Sequence, residues 1–245
     1  MTSGSGAEPV RPRTGVSTIV FDLDGTLAHT APDIVRALNA ALVEQGFAAL
    51  PREAAVSHVG IGIGARRLVE RTLRRDAGEP DAAAVEHMVE RYLAHYLDAV
   101  KVDSTLFPGC VDALDALRAR GHRLAVCTNK PERHARLLLD ALGIAAHFDA
   151  ITGFDTYDYR KPDGRHIAST IALAGGDPCN AVMIGDSNVD VAAARDAGVP
   201  VVGVTFGYTE QPIATYSPDR MIDHYDELVG AIESLLPEAS RAIGP

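Results

Sequence analysis

The chain of 245 residues contains little cysteine, no tryptophan and no long apolar run. Its three cysteines, Cys110, Cys127 and Cys179, have no C-x-x-C spacing, which argues against a disulfide framework and against a structural zinc site. No stretch of about 18 consecutive apolar residues occurs, so the sequence offers no transmembrane helix. We therefore expect a soluble, cytoplasmic protein without a membrane partner.

Basic residues are also scarce relative to acidic ones. The chain has 23 lysines and arginines against 33 aspartates and glutamates, which gives a formal net charge of −10 at pH 7. A protein with this charge lacks the broad basic surface that attracts nucleic acids or anionic lipids. The composition therefore predicts no nucleic-acid partner, although a single pocket can still be positive.

The first 15 residues lack the apolar central region of a signal peptide. This stretch, MTSGSGAEPVRPRTG, is rich in glycine, serine, proline and arginine. We interpret residues 1–15 as a disordered leader. The whole chain exceeds one domain of about 150 residues but is short for two, which favours one domain with a large insertion.

Five short apolar runs, typical of buried strands, alternate with helical patterns. The runs cover residues 16–22, 123–129, 149–153, 181–186 and 199–205, and the helical patterns cover residues 109–120, 132–142, 164–174 and 189–197. Strands that alternate with helices of this length form βαβ units around a parallel sheet. The predicted fold class is therefore α/β, with a doubly wound parallel sheet.

Between residues 26 and 107 this alternation stops, and the sequence shows several helical patterns but no convincing strand. Pro32 suits the first turn of a helix that ends near Gly46. A later stretch, residues 85–97, carries apolar residues at i, i+3, i+4 and i+7. We predict an all-helical insert at residues 31–104, within an α/β core formed by residues 16–30 and 105–245.

Two of the predicted strands are followed by aspartates. Asp22 and Asp24 follow the first strand, whereas Asp186 follows a later strand and Asp190 lies in the first turn of the next helix. The carboxyl ends of parallel strands meet at one edge of the sheet, where α/β proteins bind ligands. A purely structural interpretation also exists, since Asp-Gly is a common turn and an aspartate near a helix N-terminus interacts favourably with the helix dipole.

Three further polar residues are expected at the same edge. Thr128 and Asn129 end another strand, and Lys161 is extended because it precedes a proline. The alternatives are a helix cap for the first two and a solvated loop position for the lysine. Four carboxylates at one edge repel one another unless cations lie between them, and one lysine with a hard divalent cation meets this need. We therefore expect Mg²⁺ as the cofactor.

These residues, in this order, resemble the four motifs of the haloacid dehalogenase superfamily of phosphohydrolases. The motifs are DLDGT at residues 22–26, Thr128-Asn129, Lys161-Pro162 and GDSNVD at residues 185–190. The resemblance spans residues 16 to about 207, and the helical insert takes the place of that superfamily's cap domain. The segments TLAHTAPDI, GIGARRLVER and CTNKP are similar to those of phosphoglycolate phosphatases, which implies a phosphoric monoester hydrolase.

The resemblance implies a role for each aspartate. Asp22 would be the nucleophile that forms an aspartyl-phosphate, and Asp24 would be the general acid and then the general base. Mg²⁺ would be held by the carboxylates of Asp22 and Asp186 and by the backbone carbonyl of Asp24, with Asp190 supporting the site through a water or a hydrogen bond. The presence of Asp24 also favours a phosphatase over the dehalogenases and phosphonatases, which lack an aspartate there.

The same resemblance implies which residues bind the phosphate group. The hydroxyl of Thr128, the backbone amide of Asn129 and the ammonium of Lys161 would hold the phosphoryl oxygens and stabilise the charge of the transition state. Gly25 and Thr26, in the loop that carries the catalytic aspartates, would complete this binding site.

The expected substrate, 2-phosphoglycolate, follows from the resemblance of the loop at residues 60–67 of the insert. In the family this loop faces the catalytic edge, so Arg66 or Arg67 is a candidate clamp for a substrate carboxylate. Phosphoglycolate phosphatases often have Asp-Ser where this chain has His29-Thr30. His29 therefore either reaches the substrate or has a packing role.

Other activities remain alternatives at this stage. One is a phosphatase or phosphomutase that acts on a sugar phosphate, a nucleotide or pyrophosphate, although phosphomutases usually have valine where this chain has Thr26. Another, from a different class, is a phosphoacceptor signalling module, which needs no cap. The expected partner is a small phosphorylated metabolite, and the expected assembly is a monomer or a homodimer.

Overall fold

The computed structural model describes residues 15–51, 64–209 and 211–236 of the chain. Residues 1–14 of the predicted leader, and residues 60–63 of the loop expected to face the catalytic edge, lie outside these ranges. Within the described ranges the chain forms eight β-strands and eight α-helices.

The strands confirm the predicted α/β pattern and add three short elements to it. In chain order they are β1 Thr18–Phe21, β2 Ala28–His29, β3 Thr105–Leu106, β4 Arg123–Cys127, β5 Ala150–Thr152, β6 Ala181–Gly185, β7 Val201–Val204 and β8 Arg220–Ile222. Six of them form one sheet in the order β5-β4-β1-β6-β7-β8, and all neighbouring pairs in it are parallel. The other two, β2 and β3, form a separate antiparallel pair.

The helices lie close to the predicted positions. They are α1 Ala31–Glu44, α2 Ala65–Ala77, α3 Ala82–Asp98, α4 Cys110–Ala119, α5 Glu132–Ala141, α6 Gly164–Leu173, α7 Asn188–Asp196 and α8 Leu228–Leu235. Helices α1 to α3 follow one another without a strand of the main sheet between them, whereas α4 to α7 each lie between strands. Helix α8 was not predicted, and it contributes Leu228 and Ile232 to the core.

Strand β1 lies at the centre of the sheet because its side chains are apolar on both faces. Ile19 and Phe21 pack on one face, with residues of α4, α5 and α8. Val20 points to the opposite face, where it packs with residues of α6 and α7. A strand buried on both faces reads as a continuous apolar run, which is why the sequence reveals it clearly. The doubly wound arrangement is confirmed.

The strand order reverses at β1, and this reversal positions the ligand-binding edge. The chain passes from β1 to β4 and β5 on one side, then crosses to β6, β7 and β8 on the other. Phe21 pairs with Val126 of β4 and with Ile184 of β6, so the three strands end at nearly the same level. Residues that directly follow these strands are therefore neighbours, at the point where open α/β sheets bind ligands.

Helices α1, α2 and α3 share a hydrophobic cluster separate from the two faces of the sheet. Its buried members include Leu38 of α1, Leu68 of α2, and Met88 and Tyr96 of α3. The amphipathic patterns of these helices are satisfied mainly by one another, because each places its apolar face toward the shared cluster. We refer to these three helices as the helical insert.

Two short strands join the helical insert to the core, and here the expectation of no strand between residues 26 and 107 is wrong. Ala28 pairs with Leu106 and His29 pairs with Thr105 in the antiparallel pair of β2 and β3. Two residues are too few to show an alternating pattern, and the pairing partner lies on the far side of the insert in sequence. Local pattern reading therefore had no signal for this pair.

Buried Asp33 also holds the two ends of the insert together. The backbone amides of Val102 and Ser104 donate to its Oδ2 at 3.0 and 2.9 Å, and the Ser104 hydroxyl donates to the same oxygen at 2.6 Å. Burial works against ionisation, but the hydrogen bonds from Ser104 and Val102 keep the pKa of Asp33 below its usual value. A carboxylate in the first turn of α1 thus fixes the returning segment before β3.

We predict that His166, which is fully buried in α6, makes stability depend on pH. Burial, assisted by the charge of Lys161, lowers the pKa of His166 to about 4. In the unfolded chain a histidine has a pKa of about 6.5, so the unfolded state takes up the proton first and stability falls as the pH drops from about 6.5 to 4. In His166→Phe, the loss of unfolding free energy between pH 7.5 and pH 5 should be smaller by about 1–2 kcal/mol. Urea denaturation at both pH values measures it, and equal losses in the two proteins would contradict the prediction.

Candidate active site at the carboxyl end of the sheet

Four aspartates lie together at the carboxyl end of the sheet. Asp22 directly follows β1, Asp24 lies two residues further on, Asp186 directly follows β6, and Asp190 lies in the first turn of α7. All four are buried, with at most 6% of any residue exposed. One carboxylate oxygen from each of Asp22, Asp186 and Asp190 lies within 4.8 Å of the others. The structure thus brings the predicted acidic residues together.

Lys161 supplies positive charge to this cluster. Its Nζ lies 2.9 Å from Oδ1 of Asp22 and 2.7 Å from Oδ1 of Asp190, and the lysine is almost fully buried. Burial disfavours the ammonium, but the two carboxylates outweigh this effect and raise the pKa of Lys161 above its usual value. The Asn129 side chain donates to the backbone carbonyl of Lys161 at 3.1 Å, so the segments after β4 and before α6 are joined.

Asp190 caps a helix and also contacts the lysine of the cluster. Its Oδ2 accepts hydrogen bonds from the amide and the hydroxyl of Ser187, at 3.1 and 2.6 Å, in a capping box at the start of α7. Its Oδ1 accepts from Lys161. One oxygen therefore fixes the helix terminus, and the other holds the lysine against Asp22.

The carboxylates are held close enough to disfavour each other's ionisation. Burial raises the pKa of Asp22 to about 6, while Lys161 opposes the shift and Asp190 adds to it. Burial, followed by the charges of Asp190 and Asp22, raises the pKa of Asp186 well above its usual value. The cluster therefore carries more negative charge than Lys161 alone balances.

Asp186 has one oxygen available for a ligand. Its Oδ2 accepts a hydrogen bond from the backbone amide of Tyr208 at 2.6 Å, whereas its Oδ1 is buried and has no hydrogen-bond partner among the described residues. Oxygen donors in a cluster of negative charge are the ligands that a hard divalent cation prefers. The residues present therefore fit Mg²⁺.

The loop after Asp24 can approach Asp186 closely because it contains Gly25. Gly25 has a φ of +86°, and a Cβ at this position would meet the carboxylate of Asp186 and the ring of Tyr208. Thr26 is fully buried; Tyr225 donates to its carbonyl at 2.8 Å, and its hydroxyl has no partner among the described residues. The structure places both residues beside the cluster, and their contact with phosphate stays a prediction.

Thr128 and Asn129 begin the loop after β4, as predicted. Both are buried, and the Thr128 hydroxyl accepts a hydrogen bond from the amide of Lys130 at 3.2 Å. The side-chain Oδ1 of Asn129 has no partner among the described residues. These groups lie at the same end of the sheet as Asp22, and their role in holding phosphoryl oxygens stays a prediction.

Lys130 is a site residue that the sequence analysis missed. Its Nζ lies 3.0 and 3.2 Å from the two carboxylate oxygens of Asp24, and it lies 4.2 Å from the ring centroid of Tyr96 on α3. Burial disfavours the ammonium of Lys130, but the charge of Asp24, together with Tyr96 and Tyr92, outweighs burial and raises the pKa of Lys130 above its usual value. The sequence did contain a signal for this residue. Four carboxylates with one lysine leave a large unbalanced negative charge, and Lys130 is a second lysine directly after Asn129 at the same strand end.

A cavity between the core and the helical insert opens beside Asp24. The core contributes Asp24, Lys130 and the loop of Thr128 and Asn129, and the insert contributes Leu68, Tyr92, Leu93 and Tyr96. The cavity thus joins a buried carboxylate, a buried cation and an aromatic wall. A small molecule bound here would contact both the sheet edge and the insert.

Arg66 and Arg67, the candidate clamps for a carboxylate, line a cleft beside the cavity that contains Asp24, and Arg67 also lines a cleft with Lys161. Arg66 is exposed and forms ion pairs with Glu70, at 3.0 Å, and with Glu86, all within the helical insert. Arg67 is exposed and lines an outer cleft with Arg160. Neither arginine lines the cavity that contains Asp24. Binding of a substrate carboxylate by either of them stays a prediction.

His29 has a structural contact that explains its presence beside the catalytic loop. The amide of Ala31 donates to the hydroxyl of Tyr208 at 3.1 Å, and the same hydroxyl forms a hydrogen bond with Nδ1 of His29, 2.7 Å away. Because the backbone of Tyr208 holds Asp186, His29 helps to position the segment that orients this carboxylate. No local pattern could show this contact, since the two residues are far apart in sequence.

Comparison with known proteins agrees with this geometry. Residues 16–198 match the family model of haloacid dehalogenase-like hydrolases. The chain is 43% identical over 220 residues to a phosphoglycolate phosphatase of Caulobacter vibrioides, covering 90% of this chain and 92% of the relative. It is 42% identical over 224 residues to a phosphoglycolate phosphatase of Agrobacterium fabrum, covering 91% and 95% of the two chains.

The fold is also similar to that of solved structures. The crystal structure of a predicted phosphoglycolate phosphatase from Haemophilus somnus 129pt superimposes with a TM-score of 0.79 and 30% identity, covering 89% of this chain and 98% of that chain. Within the described ranges, every helix is too short or too polar to serve as a membrane span. The chain therefore belongs to the haloacid dehalogenase-like hydrolases, and it is a phosphoric monoester hydrolase similar to the phosphoglycolate phosphatases.

Proposed function

We propose that the protein hydrolyses a small phosphate monoester in a Mg²⁺-dependent reaction through an aspartyl-phosphate, and that its substrate is 2-phosphoglycolate. The observation that carries the mechanism is the arrangement around Asp22. This carboxylate lies at the end of β1, bonded to Lys161 and beside Asp186, with Asp24 facing the adjacent cavity. Attacking group, charge-balancing groups and proton donor are thus within one edge of the sheet.

The charge of the site supports a divalent cation. Four buried carboxylates lie near two buried ammonium groups, those of Lys130 and Lys161, which leaves two negative charges without a counterpart. Asp22, Asp186 and the backbone carbonyl of Asp24 would hold the ion, with Asp186 Oδ1 free to bind it. When bound, the ion balances the carboxylates and withdraws charge from the phosphoryl oxygens.

The proposed reaction has two displacements at phosphorus. An oxygen of Asp22 forms a bond to phosphorus as the bond to the ester oxygen breaks, and Asp24 gives its proton to that departing oxygen. In the second step Asp24 takes a proton from a water molecule, whose oxygen attacks phosphorus. The bond between Asp22 and phosphorus then breaks, which releases inorganic phosphate and restores the carboxylate.

Three groups at the ends of β1 and β4 would hold the phosphoryl oxygens during both steps. The Thr128 hydroxyl and the Asn129 backbone amide come from the loop after β4, and the Lys161 ammonium lies against Asp22. Donors in a buried site stabilise the developing charge more strongly than they would in water. The side chain of Asn129 also donates a hydrogen bond to the backbone carbonyl of Lys161. This bond holds Asn129 and Lys161 together.

Two observations support 2-phosphoglycolate as the substrate. Two relatives that are 42% and 43% identical to this chain are named phosphoglycolate phosphatases. Tyr92, Leu93 and Tyr96 of α3 line the cavity beside Asp24 on the side of the insert, and Lys130 supplies a cation there. A small leaving group with an anionic carboxylate suits this lining.

We predict that Asp22→Asn abolishes turnover. The amide has the shape of the carboxylate but cannot attack phosphorus, so the rate should fall by several orders of magnitude. Phosphate release measures the rate, and circular dichroism verifies the fold. A rate above about one hundredth of the wild-type value, in a folded variant, would exclude the covalent mechanism.

We predict that Asp186→Asn removes the stabilisation by Mg²⁺. Without metal, the variant should melt at the same temperature as the wild type or higher, because one of the mutually repelling carboxylates is gone. The rise in melting temperature on adding Mg²⁺ should be large in the wild type and absent in the variant. Asp140→Asn, an exposed substitution on α5, is the control and should keep the rise. A Mg²⁺-dependent rise in Asp186→Asn would place the ion elsewhere.

We predict that 2-phosphoglycolate has the highest kcat/KM in a panel of phosphate esters assayed with Mg²⁺. The panel includes a hexose phosphate, a nucleoside monophosphate, pyrophosphate and p-nitrophenyl phosphate. The margin should be at least about tenfold, because a site built for a charged substrate group rejects analogues that lack it. If the hexose phosphate had the larger kcat/KM, the proposed substrate would be wrong and a sugar phosphate would take its place. The proposed phosphatase reaction would still hold.

A further inference from the structure

Lys130 is a buried cation that the proposed reaction does not use. It is 8% exposed, it lines the cavity beside Asp24, and it belongs to the loop after β4 that also carries Thr128 and Asn129. A lysine is rarely buried unless it is paired or binds an anion. The group that Lys130 pairs with here is the carboxylate expected to donate a proton to the substrate.

Lys130 lines the same cavity as Asp24, whereas Arg66 and Arg67 line a neighbouring cleft. Of the described residues that line the cavity, only Lys130 carries an ammonium or guanidinium group. His134, the other basic residue of the lining, directs Nε2 toward the carbonyl of Leu93 at 3.3 Å. Arg66 is already paired with Glu70 and Glu86. A substrate anion inside the cavity would therefore meet Lys130.

The contact between Lys130 and Asp24 occupies the proton donor. Both carboxylate oxygens of Asp24 lie within hydrogen-bond distance of the same ammonium, at 3.0 and 3.2 Å. This contact competes with the approach of a departing ester oxygen to the same edge of the carboxylate. The ring of Tyr96 covers another side of the ammonium, at 4.2 Å from the ring centroid, and so keeps it inside the cavity.

We propose that Lys130 binds the carboxylate of the substrate, and that its exchange from Asp24 to that carboxylate frees Asp24 to take up a proton from the solvent and pass it to the departing oxygen. This inference rests on the proposed hydrolysis of 2-phosphoglycolate. In that molecule one methylene group separates the carboxylate from the ester oxygen, so a cation beside the proton donor is also beside the carboxylate. The exchange replaces one charge-assisted pair by another and leaves Tyr96 in contact with the ammonium.

This exchange makes the substrate carboxylate contribute to catalysis as well as to binding. An ester without a carboxylate leaves Lys130 on Asp24, so the proton donor remains occupied and the chemical step is slow. An ester with a carboxylate withdraws Lys130 and releases the donor. Interactions of this kind, made fully only as the reaction proceeds, raise kcat and not merely affinity.

The test compares 2-phosphoglycolate with ethyl phosphate, which has a methyl group in place of the carboxylate. Both esters are assayed on the wild type, Lys130→Gln and Lys130→Arg, with the exposed Lys101→Gln as the control for loss of one positive charge. In Lys130→Gln, kcat/KM for 2-phosphoglycolate should fall at least about 100-fold, with both kcat and KM affected. For ethyl phosphate kcat/KM should not fall and should rise, because the variant has no ammonium that stays on Asp24.

The outcomes separate this inference from the proposed function. Lys130→Arg keeps the charge and should retain a preference for 2-phosphoglycolate, and Lys101→Gln should behave as the wild type does. A wild type that prefers 2-phosphoglycolate, with an equal fall for both esters in Lys130→Gln, would make Lys130 a structural partner of Asp24 and overturn the inference. A wild type without that preference would overturn the proposed substrate itself. Lys130→Arg, which does not leave Asp24 unpaired, keeps the test valid if Lys130→Gln folds poorly.

Discussion

Repulsion between carboxylates at the end of a parallel sheet is the constraint on which the rest of this site depends. Asp22, Asp186 and Asp190 are buried and have carboxylate oxygens within 4.8 Å of one another. Such a cluster is tolerated only because Lys161 lies against two of its members, at 2.9 and 2.7 Å. Asp186 also has a buried carboxylate oxygen without a hydrogen-bond partner among the described residues, which fits a divalent cation. The stability of the cluster and its fit to a cation therefore depend on the same balance between negative and positive charges.

The parallel sheet creates this constraint before any ligand is present. Because Phe21 is level with Val126 and Ile184, the residues that follow β1, β4 and β6 necessarily lie close together. Gly25 lets the catalytic loop come close to Asp186, since any side chain there would collide with it. Asp190 then holds Lys161 with one oxygen and the start of α7 with the other. The elements that fold the core are thus the elements that assemble the site.

The parts of the site that follow directly from strand ends could be predicted from the sequence. Asp22, Thr128 and Asp186 each come after a buried apolar run, and the topology of a parallel sheet then brings them together. Contacts between distant segments had no such signal. The hydrogen bond between His29 and Tyr208, and the pairing of β2 with β3, depend on tertiary packing that no local pattern records. The fold class was therefore predictable, whereas the orientation of the segments behind the site was not.

Lys130 shows how an apolar pattern can conceal a functional contact. The spacing of Tyr96 assigns it to the apolar face of α3, and its side chain packs in the hydrophobic cluster of the helical insert. Its ring also covers the ammonium that is bonded to Asp24. A residue assigned to a hydrophobic core by its spacing thus forms one wall of the cavity and one partner of a buried cation. Through this ring, α3 of the insert contacts the ion pair of Lys130 and Asp24. The packing of the insert and the geometry of the candidate site therefore meet in one contact.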